Sequence, residues 1–127
     1  MASATVIEPE MATKPLETVQ VAIIKPVSND CEQYRHLVSQ YDWAVTTAMA
    51  IMRAESGCNP LADNTGLNRD GSNDKGLFQV NSIHHRLISD HDRLIPEKNI
   101  AVAYQIYKGS GWKAWSAYNN KAYLKYL

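Results

Sequence analysis

Three features that mark other protein classes are missing from this sequence of 127 residues. The formal net charge at pH 7 is zero, so no strong electrostatic field favours nucleic acid or an anionic membrane surface. No apolar run approaches the ~20 residues that a membrane-spanning helix needs. The amino-terminal residues lack the basic segment and the long apolar segment of a signal peptide. We therefore predict one globular domain with no nucleic-acid partner and no membrane span.

Recognised metal-binding patterns are also absent. His84, His85 and His91 are close in sequence, but no His-Glu-x-x-His pattern accompanies them. The acidic loop that begins at Asp70 has its glycine out of register for a calcium loop and lacks the closing glutamate. We therefore predict no metal and no cofactor, and we expect any chemistry to come from side chains.

The composition of the chain changes near residue 29. Residues 1–28 are rich in Ala, Thr, Pro and Glu, which predicts an extended or disordered lead segment. Only residues 19–24 in this segment are apolar enough for a short strand. Residues 29–127 form the predicted domain, with a polar, turn-rich loop at 59–75 that favours tight turns or a small hairpin. The predicted class is α+β, mostly α.

Several helices are predicted in this domain. Asp30 or Asn29 can cap the first, which runs to Val38. Residues 84–88 are expected to form a short helix, and Pro96 suits the first turn of a longer one that ends near Lys108.

A hydrophobic helix that ends on a carboxylate is the main functional signal. Asp42 is its candidate N-cap, and Gly57 ends it. Four residues share one stripe at i, i+4, i+7 and i+11: Ala44, Ala48, Ile51 and Glu55. Because the stripe should face the core, Glu55 should lose water, which raises the pKa of an acid and suits a general acid. The alternative is a Glu55 that faces solvent or pairs with Arg53 or a lysine.

A second candidate carboxylate, Asp74, lies at the end of Asp70-Gly71-Ser72-Asn73-Asp74. Glycosidases need two carboxyl groups, one as acid and one as nucleophile, base or charge stabiliser. Asp74 precedes the compact and mostly apolar residues 76–81, which should be buried and should fix its position. Its polar loop should keep Asp74 ionised while Glu55 stays protonated. The alternative is an aspartate that only caps a turn.

Four short motifs follow one another along the domain: Glu55-Ser56-Gly57, Gly76-Leu77-Phe78-Gln79-Val80-Asn81, Asn99-Ile100-Ala101 and Ala117-Tyr118-Asn119. In this order they resemble the lysozyme-like lytic transglycosylases. The stretch that ends at Asp74 resembles the segment of animal-type lysozymes that holds their catalytic aspartate. Some small transglycosylases of specialised secretion systems have a similar stretch, so Asp74 does not separate the two classes. The resemblance covers roughly residues 30–127 and implies a lysozyme-like fold, with a small β-hairpin or polar loop beside the active-site cleft.

The resemblance also implies roles for individual residues. Glu55 is the expected general acid, and Asp74 is the second expected catalytic residue. Five further residues are expected to support or bind substrate: Ser56, Gln79, Asn81, Tyr118 and Asn119. Among these, Ser56 supports the helix end and Gln79 lines the cleft and bonds to sugar or acetamido groups. Tyr118 and Asn119 are expected to face Glu55 from the far wall.

The implied substrate is the glycan strand of peptidoglycan, cleaved at the β-1,4 bond between N-acetylmuramic acid and N-acetylglucosamine. Water, with help from Asp74, or the 6-hydroxyl of the muramoyl sugar completes the reaction. The first outcome is hydrolysis by a lysozyme, and the second is lytic transglycosylation. The implied protein is a monomer that is secreted, periplasmic or associated with the cell wall.

Three alternatives stay open on the sequence alone. Cys31 and Cys58 form either a disulfide, which an extracytoplasmic substrate favours, or two buried free thiols. Trp112 and Trp115 pack in the core or stack on sugar rings. The domain is an enzyme, acting on peptidoglycan or a chitin-type glycan, or it is a non-catalytic glycan-binding or structural module of a phage particle or secretion apparatus.

Overall fold

The structure, a computed structural model, describes residues 30–66 and 68–127. The predicted lead segment, with its apolar residues 19–24, lies outside the described residues. The α-helices are α1 Arg35–Val38, α2 Val45–Ser56, α3 Pro96–Ser110 and α4 Ser116–Asn119. The strands are β1 Asp74–Lys75 and β2 Val80–Asn81. Short 3₁₀ helices lie at Cys31–Tyr34, Ser82–His84, Asp92–Leu94, Trp112–Ala114 and Ala122–Tyr126. The predicted class, α+β and mostly α, is confirmed.

The first helical segment begins at a side-chain cap. Asp30 accepts the backbone N–H of Glu32 at 3.1 Å, as its predicted capping role requires. The segment starts as a 3₁₀ helix and continues as α1. Tyr34 and Val38 are buried on the side that faces the core. The predicted first helix, capped by Asp30 and ending at Val38, is therefore confirmed.

Helix α2 starts later than predicted. Asp42 is wrong as its N-cap, because the helix begins at Val45 and the capping position is Ala44, which makes no side-chain capping bond. The buried indole of Trp43 donates to the carbonyl oxygen of Val38 at 2.8 Å. The backbone then extends at Ala44, with φ −69° and ψ 100°, before it turns into the helix. Ala44 is consequently exposed and lies off the buried stripe.

The rest of α2 follows the prediction. Ala48 and Ile51 are fully buried. Gly57 ends the helix with φ +62°, and its N–H donates to the carbonyl oxygen of Arg53 at 2.8 Å. A left-handed residue of this kind favours glycine, because other side chains are strained there. The carboxylate of Glu55 thus lies in the last turn of a helix whose position the core fixes.

The polar loop between α2 and α3 contains a small hairpin. Strands β1 and β2 are antiparallel, with Asp74 opposite Asn81 and Lys75 opposite Val80. The connecting residues 76–79 lie in the core, where Leu77 and Phe78 are fully buried. The predicted hairpin and the predicted burial of this segment are therefore both confirmed.

Gly76 permits the close packing of this turn. Its φ is +82°, and a Cβ built there would lie 2.0 Å from the carbonyl oxygen of Arg93 and 2.3 Å from the side-chain nitrogen of Asn99. Only glycine fits such an approach without backbone movement.

Arg93 holds the hairpin in place from the interior of the domain. Its guanidinium is buried, with 1% of the residue exposed. It donates to the carbonyl oxygen and the side-chain oxygen of Asn73 at 3.1 and 2.8 Å, to the carbonyl oxygen of Val80 at 2.7 Å, and to Asp90 at 2.8 Å. A buried charge needs such partners, and here they fix both strands of the hairpin at once.

Asn99, in the first turns of α3, holds the turn itself. Its fully buried amide donates to the carbonyl oxygens of Lys75 and Arg93 at 3.0 and 2.8 Å. Its side-chain oxygen accepts the backbone N–H of Phe78 at 2.8 Å. These bonds satisfy backbone groups that would otherwise be buried without partners, so Asn99 fastens the hairpin to α3.

The two helical segments that follow the hairpin differ from the prediction at one boundary each. The first starts earlier than predicted, and the second ends later. The short helix expected at residues 84–88 is wrong, because the helical turn lies at Ser82–His84, where the side chain of Asn81 accepts the N–H of Ile83 at 2.9 Å and starts the turn earlier. Helix α3 begins at Pro96, as predicted, and ends at Ser110, slightly beyond Lys108.

An aromatic cluster fills the space between α2, α3 and the hairpin. Its members are Tyr41, Trp43, Phe78, Tyr104, Tyr107, Trp112 and Trp115. The rings of Trp43 and Trp112 are stacked 5.4 Å apart, and the indole of Trp115 donates to the carbonyl oxygen of Phe78 at 2.9 Å. Both Trp112 and Trp115 therefore pack against the core.

A disulfide joins Cys31, at the start of the first helical segment, to Cys58, just after α2. The two Cα atoms are 5.2 Å apart. The bridge therefore holds the end of the helix that carries Glu55, and the predicted pairing is confirmed.

No described helix is both long enough and apolar enough to cross a bilayer.

Removing this disulfide is expected to lower the stability of the domain. The bridge closes a loop with a sequence separation of 27 residues, for which loop entropy predicts about 3–4 kcal/mol. The Cys31→Ala, Cys58→Ala variant should therefore melt about 15 °C lower in a calorimetric scan. Wild-type protein with a reducing agent is the matched control and should melt with the variant. Equal melting temperatures for oxidised wild type and the variant would contradict the prediction.

Candidate active site

Glu55 lies on the wall of a cavity of about 610 Å³. Its side-chain oxygen Oε2 accepts the backbone N–H of Ala117, at the start of α4, at 3.0 Å. Burial raises the pKa of Glu55, and the negative charge of Asp74 raises it further. The bonds from Ala117 and Ser116 oppose this change, but burial is the largest effect. Glu55 therefore keeps its proton to a higher pH than an exposed glutamate does.

The raised pKa of Glu55 predicts how stability depends on pH. A group whose pKa is higher in the folded state contributes stability below its unfolded pKa, about 4.3, and loses it as pH rises through the folded pKa. The Glu55→Gln variant cannot ionise there, and its amide oxygen can still accept the N–H of Ala117. Its melting temperature relative to wild type should therefore increase from pH 4 to pH 8.

Glu32→Gln is a control with the opposite sign. A bond from Arg35 lowers the pKa of Glu32, so that glutamate contributes stability above its unfolded pKa. The Glu32→Gln variant should therefore lose stability relative to wild type as pH rises. A Glu55→Gln variant that followed the same direction would refute burial as the cause of the raised pKa.

Asp74 lines the same cavity and is held by two amide groups. Its Oδ1 accepts the side-chain N–H of Asn81 at 2.8 Å, and its Oδ2 accepts that of Asn68 at 3.0 Å. The same amides donate to the hydroxyl of Ser72 at 3.0 and 3.2 Å, and that hydroxyl donates to Asp70 at 2.5 Å. An ionised carboxylate is an acceptor only, which matches this set of donors. The network fixes both oxygens of Asp74.

The turn-capping role considered for Asp74 belongs to Asp70. Its Oδ1 accepts the backbone N–H of Ser72 at 2.9 Å, two residues further along the chain. Asp74 instead lines the cavity that Glu55 also lines. Two carboxyl groups thus line one cavity: Glu55, whose pKa is raised by burial, and Asp74, whose oxygens are held by two amides.

Comparison with known proteins identifies the family to which this fold belongs. Residues 38–117, more than half of the chain, match the lysozyme-like domain family. The chain belongs to this family. The predicted lysozyme-like fold is confirmed, and membership indicates a role connected with peptidoglycan.

A curated relative of this lysozyme-like domain is the protein IpgF of Shigella sonnei. The two are 30% identical over 92 residues, which cover 63% of this chain and 59% of that protein. The chain thus spans less than two thirds of the relative's length.

Gln79 lies on the cavity wall of the lysozyme-like domain, as expected. Its side-chain nitrogen donates to the carbonyl oxygens of Ala62 and Gly76 at 3.2 and 3.0 Å. The backbone at Gln79 has φ +49°, a left-handed conformation that is uncommon for a residue with a side chain. The two bonds hold the amide at the wall despite this backbone.

Three other expected substrate residues have different surroundings. Ser56 donates to the carbonyl oxygen of Met52 and accepts the N–H of Cys58, both at 3.1 Å, so it supports the end of α2. The ring of Tyr118 stacks on that of Tyr123 at 5.0 Å, and Asn119 donates to the carbonyl oxygen of Lys113 at 2.8 Å. None of Ser56, Tyr118 and Asn119 is among the described residues that line the Glu55 cavity.

The position at which α4 begins explains why Tyr118 and Asn119 do not line the cavity as expected. Because α4 begins at Ser116, its first two residues meet the carboxyl group of Glu55, and Tyr118 and Asn119 follow beyond them. A backbone N–H makes the contact that the resemblance assigned to two side chains. Sequence motifs carry no direct signal for a backbone donor.

Several cavity residues had no role in the sequence analysis. They include Ile83, Ile106, Ser110, Lys113 and Ala114. His84 also lines the cavity, where burial lowers its pKa. Among residues 30–66 and 68–127, no three His, Cys, Asp or Glu side chains form a group that could hold a metal ion. Lys113 lies between Trp112 and Trp115, which the sequence placed either in the core or against sugar rings, and this was the available signal for its placement near the site.

A second cavity, of about 550 Å³, adjoins the first. It is lined by Asn68, Arg69, Asp70, Ser72, Asp74 and Asn81. Asp74 and Asn81 line both cavities, so the two meet at this pair. We refer to them as the Glu55 cavity and the Arg69 cavity, and to the two together as the groove.

Proposed function

We propose that this lysozyme-like domain is a muramidase that cleaves the β-1,4 bond between N-acetylmuramic acid and N-acetylglucosamine in peptidoglycan. The observation that carries the proposal is the shared cavity of Glu55, whose pKa is raised, and Asp74, whose oxygens are held by Asn68 and Asn81. Such a pair divides the acid and anion roles of a glycosidase, as in lysozyme itself.

In the first step, Glu55 donates its proton to the glycosidic oxygen as the bond from that oxygen to the anomeric carbon breaks. The leaving sugar departs with a hydroxyl group, and positive charge develops on the ring that remains. The carboxylate of Asp74, fixed by amide donors in the same cavity, stabilises this charge without reorganisation. Glu55 is left ionised and can next act as a base.

In the second step, the ionised Glu55 takes a proton from the group that attacks the anomeric carbon. Attack by water gives a reducing sugar, and attack by the sugar's own 6-hydroxyl gives an anhydro sugar. The stretch that ends at Asp74 resembles both classes, so its presence alone does not decide the route. The carboxylate, held by Asn68 and Asn81, is in place to stabilise the positive ring until water attacks. We therefore propose hydrolysis as the main reaction.

Mass spectrometry of the products tests this choice. Purified peptidoglycan is digested, and the two candidate products differ by the mass of one water molecule. Reducing ends support hydrolysis, and anhydro ends assign the domain to the lytic transglycosylases. Absence of any product would favour the alternative, a non-catalytic glycan-binding or structural module.

The amide donors to Asp74 should affect turnover more than folding. In the Asn68→Ala and Asn81→Ala variants one oxygen of Asp74 loses its donor, so the carboxylate is free to leave its productive position. We expect kcat to fall about 10-fold in each variant, since small misplacements of catalytic groups have large effects. Asn120→Ala, which removes an exposed turn-capping amide, is the control and should retain wild-type kcat. Equal kcat in all three variants would refute a positioning role.

Two further properties follow from the proposal. Both carboxyl groups and the cavity-lining residues described above belong to one chain, so we propose that a monomer is sufficient for activity. Peptidoglycan lies outside the cytoplasm, and disulfides persist in oxidising compartments, so we propose that the domain acts there.

A further inference from the structure

Lys113 is an exposed lysine among the residues that line the Glu55 cavity. It lies in the 3₁₀ helix Trp112–Ala114, and its carbonyl oxygen accepts the amide of Asn119 at 2.8 Å. The neighbouring Trp112 and Trp115 pack in the aromatic cluster and so fix the backbone on both sides of Lys113. No carboxylate in the described part of the chain pairs with its ammonium group. The charge is therefore free to meet a ligand in the cavity.

Arg69 is likewise a cation without a carboxylate partner, and it lines the Arg69 cavity. Its guanidinium is exposed, and within residues 30–66 and 68–127 it forms no ion pair. The adjacent Asp70 uses its Oδ1 to accept the N–H and hydroxyl of Ser72. Four other cations of the domain do pair with carboxylates: Arg35, Lys75, Arg93 and Lys98.

Lys113 and Arg69 lie in two cavities that share Asp74. Lys113 lines only the Glu55 cavity and Arg69 only the Arg69 cavity, while Asp74 and Asn81 line both. A neutral glycan in this groove would find no partner for either charge. A glycan that carries carboxylates and occupies both cavities would meet a cation in each, and these cations would also offset repulsion by Asp70 and Asp74.

We propose that Lys113 and Arg69 bind carboxylates carried by the muramoyl residues and so select peptidoglycan over neutral, chitin-type strands. The inference rests on the proposed function, since it takes the groove as the binding site of the glycan. N-acetylmuramic acid differs from N-acetylglucosamine by a lactyl group, which carries either a free carboxylate or a stem peptide with carboxylates of its own. Either source supplies the same chemistry to the two cations.

Binding to insoluble glycans tests the proposal apart from turnover. Lys113→Gln, Arg69→Gln and the double substitution are made together with Glu55→Gln, so that no variant digests its ligand. Lys108→Gln and Arg86→Gln, which remove exposed cations outside both cavities, are the matched controls. Sedimentation with purified peptidoglycan and with chitin gives an apparent Kd for each glycan.

The expected result is a change for peptidoglycan that chitin does not share. Exposed ion pairs contribute little to binding, so each substitution should weaken peptidoglycan binding about 3-fold and the pair about 10-fold. The apparent Kd for chitin should change less than about 2-fold in these variants. In the control variants the apparent Kd for either glycan should also change less than about 2-fold. Added salt should reduce the preference for peptidoglycan, because it screens exposed charges.

Peptidoglycan stripped of its stem peptides distinguishes the two sources of carboxylate. A preference retained on stripped strands assigns the interaction to the lactyl group, and a lost preference assigns it to the peptide. The proposal is overturned if the Glu55→Gln protein binds peptidoglycan and chitin equally, or if the Lys113 and Arg69 variants behave like the controls. Charge-dependent binding by a protein whose unsubstituted form releases no product would leave this inference standing and refute the proposed catalysis alone.

Discussion

Replacing Glu55 with glutamine should lower the rate of peptidoglycan cleavage about 10³-fold or more. General acid catalysis accounts for roughly 10²–10⁴-fold in enzymes of known mechanism. The glutamine amide cannot donate a proton in the same way, and no other carboxyl group of the described chain shares the cavity except Asp74. Release of soluble fragments from purified peptidoglycan measures the effect.

The Glu55→Gln result is informative because the fold should survive. The amide oxygen can still accept the N–H of Ala117, and the variant avoids the loss of stability that wild type undergoes as Glu55 ionises with rising pH. Glu97→Gln, an exposed change in the first turn of α3, is the control and should retain wild-type rates. A folded Glu55→Gln protein that cleaved peptidoglycan at the wild-type rate would end the proposed mechanism.

Replacing Asp74 with asparagine should lower hydrolysis about 10²-fold. The change removes the negative charge that stabilises the developing positive charge, an electrostatic effect of roughly 10²–10³-fold in enzymes. It also places an amide N–H where the carboxylate now accepts a bond from Asn68 or Asn81, so one donor would lose its acceptor. Initial rates and product masses are both measured.

The Asp74→Asn variant also distinguishes the two routes. Near-normal rates with anhydro products would show that the 6-hydroxyl attacks and that Asp74 is dispensable, which contradicts hydrolysis. Asp42→Asn is the matched control, because Asp42 is exposed and lies outside both cavities. Its rate should equal that of wild type.

The sequence was informative where a local pattern decides the structure. Gly57 ends α2 because its left-handed backbone is strained for other residues, and Pro96 starts α3 because a helix leaves its first N–H groups unpaired. The apolar run at 76–81 predicted a buried segment, since few polar groups there need water. The predicted N-cap of α2, Asp42, was wrong. Trp43 is buried by tertiary contacts, and the helix therefore begins only at Val45.

The site was predicted less completely than the fold. Glu55 and Asp74 were found from their positions beside core segments, and both line one cavity. The amide donors to Asp74, the role of Arg93 beneath the hairpin and the cation of Lys113 were not found. Each of these depends on which distant segments meet, and no periodicity records that.

The sequence by itself determined the first helical segment, the end of α2, the start of α3, the buried turn, the two carboxyl groups and the pair of cysteines. Spacing and residue type suffice for these because they act over a few neighbouring residues. The tertiary structure alone decided that the N–H of Ala117 contacts a carboxylate 62 residues away and that Asn68 and Asn81 share one aspartate. It also decided that Ser116 and Ala117, not Tyr118 and Asn119, meet Glu55. The physical reason is that hydrogen bonds and desolvation depend on distances across the packed core, which arise only when the helices and the hairpin come together.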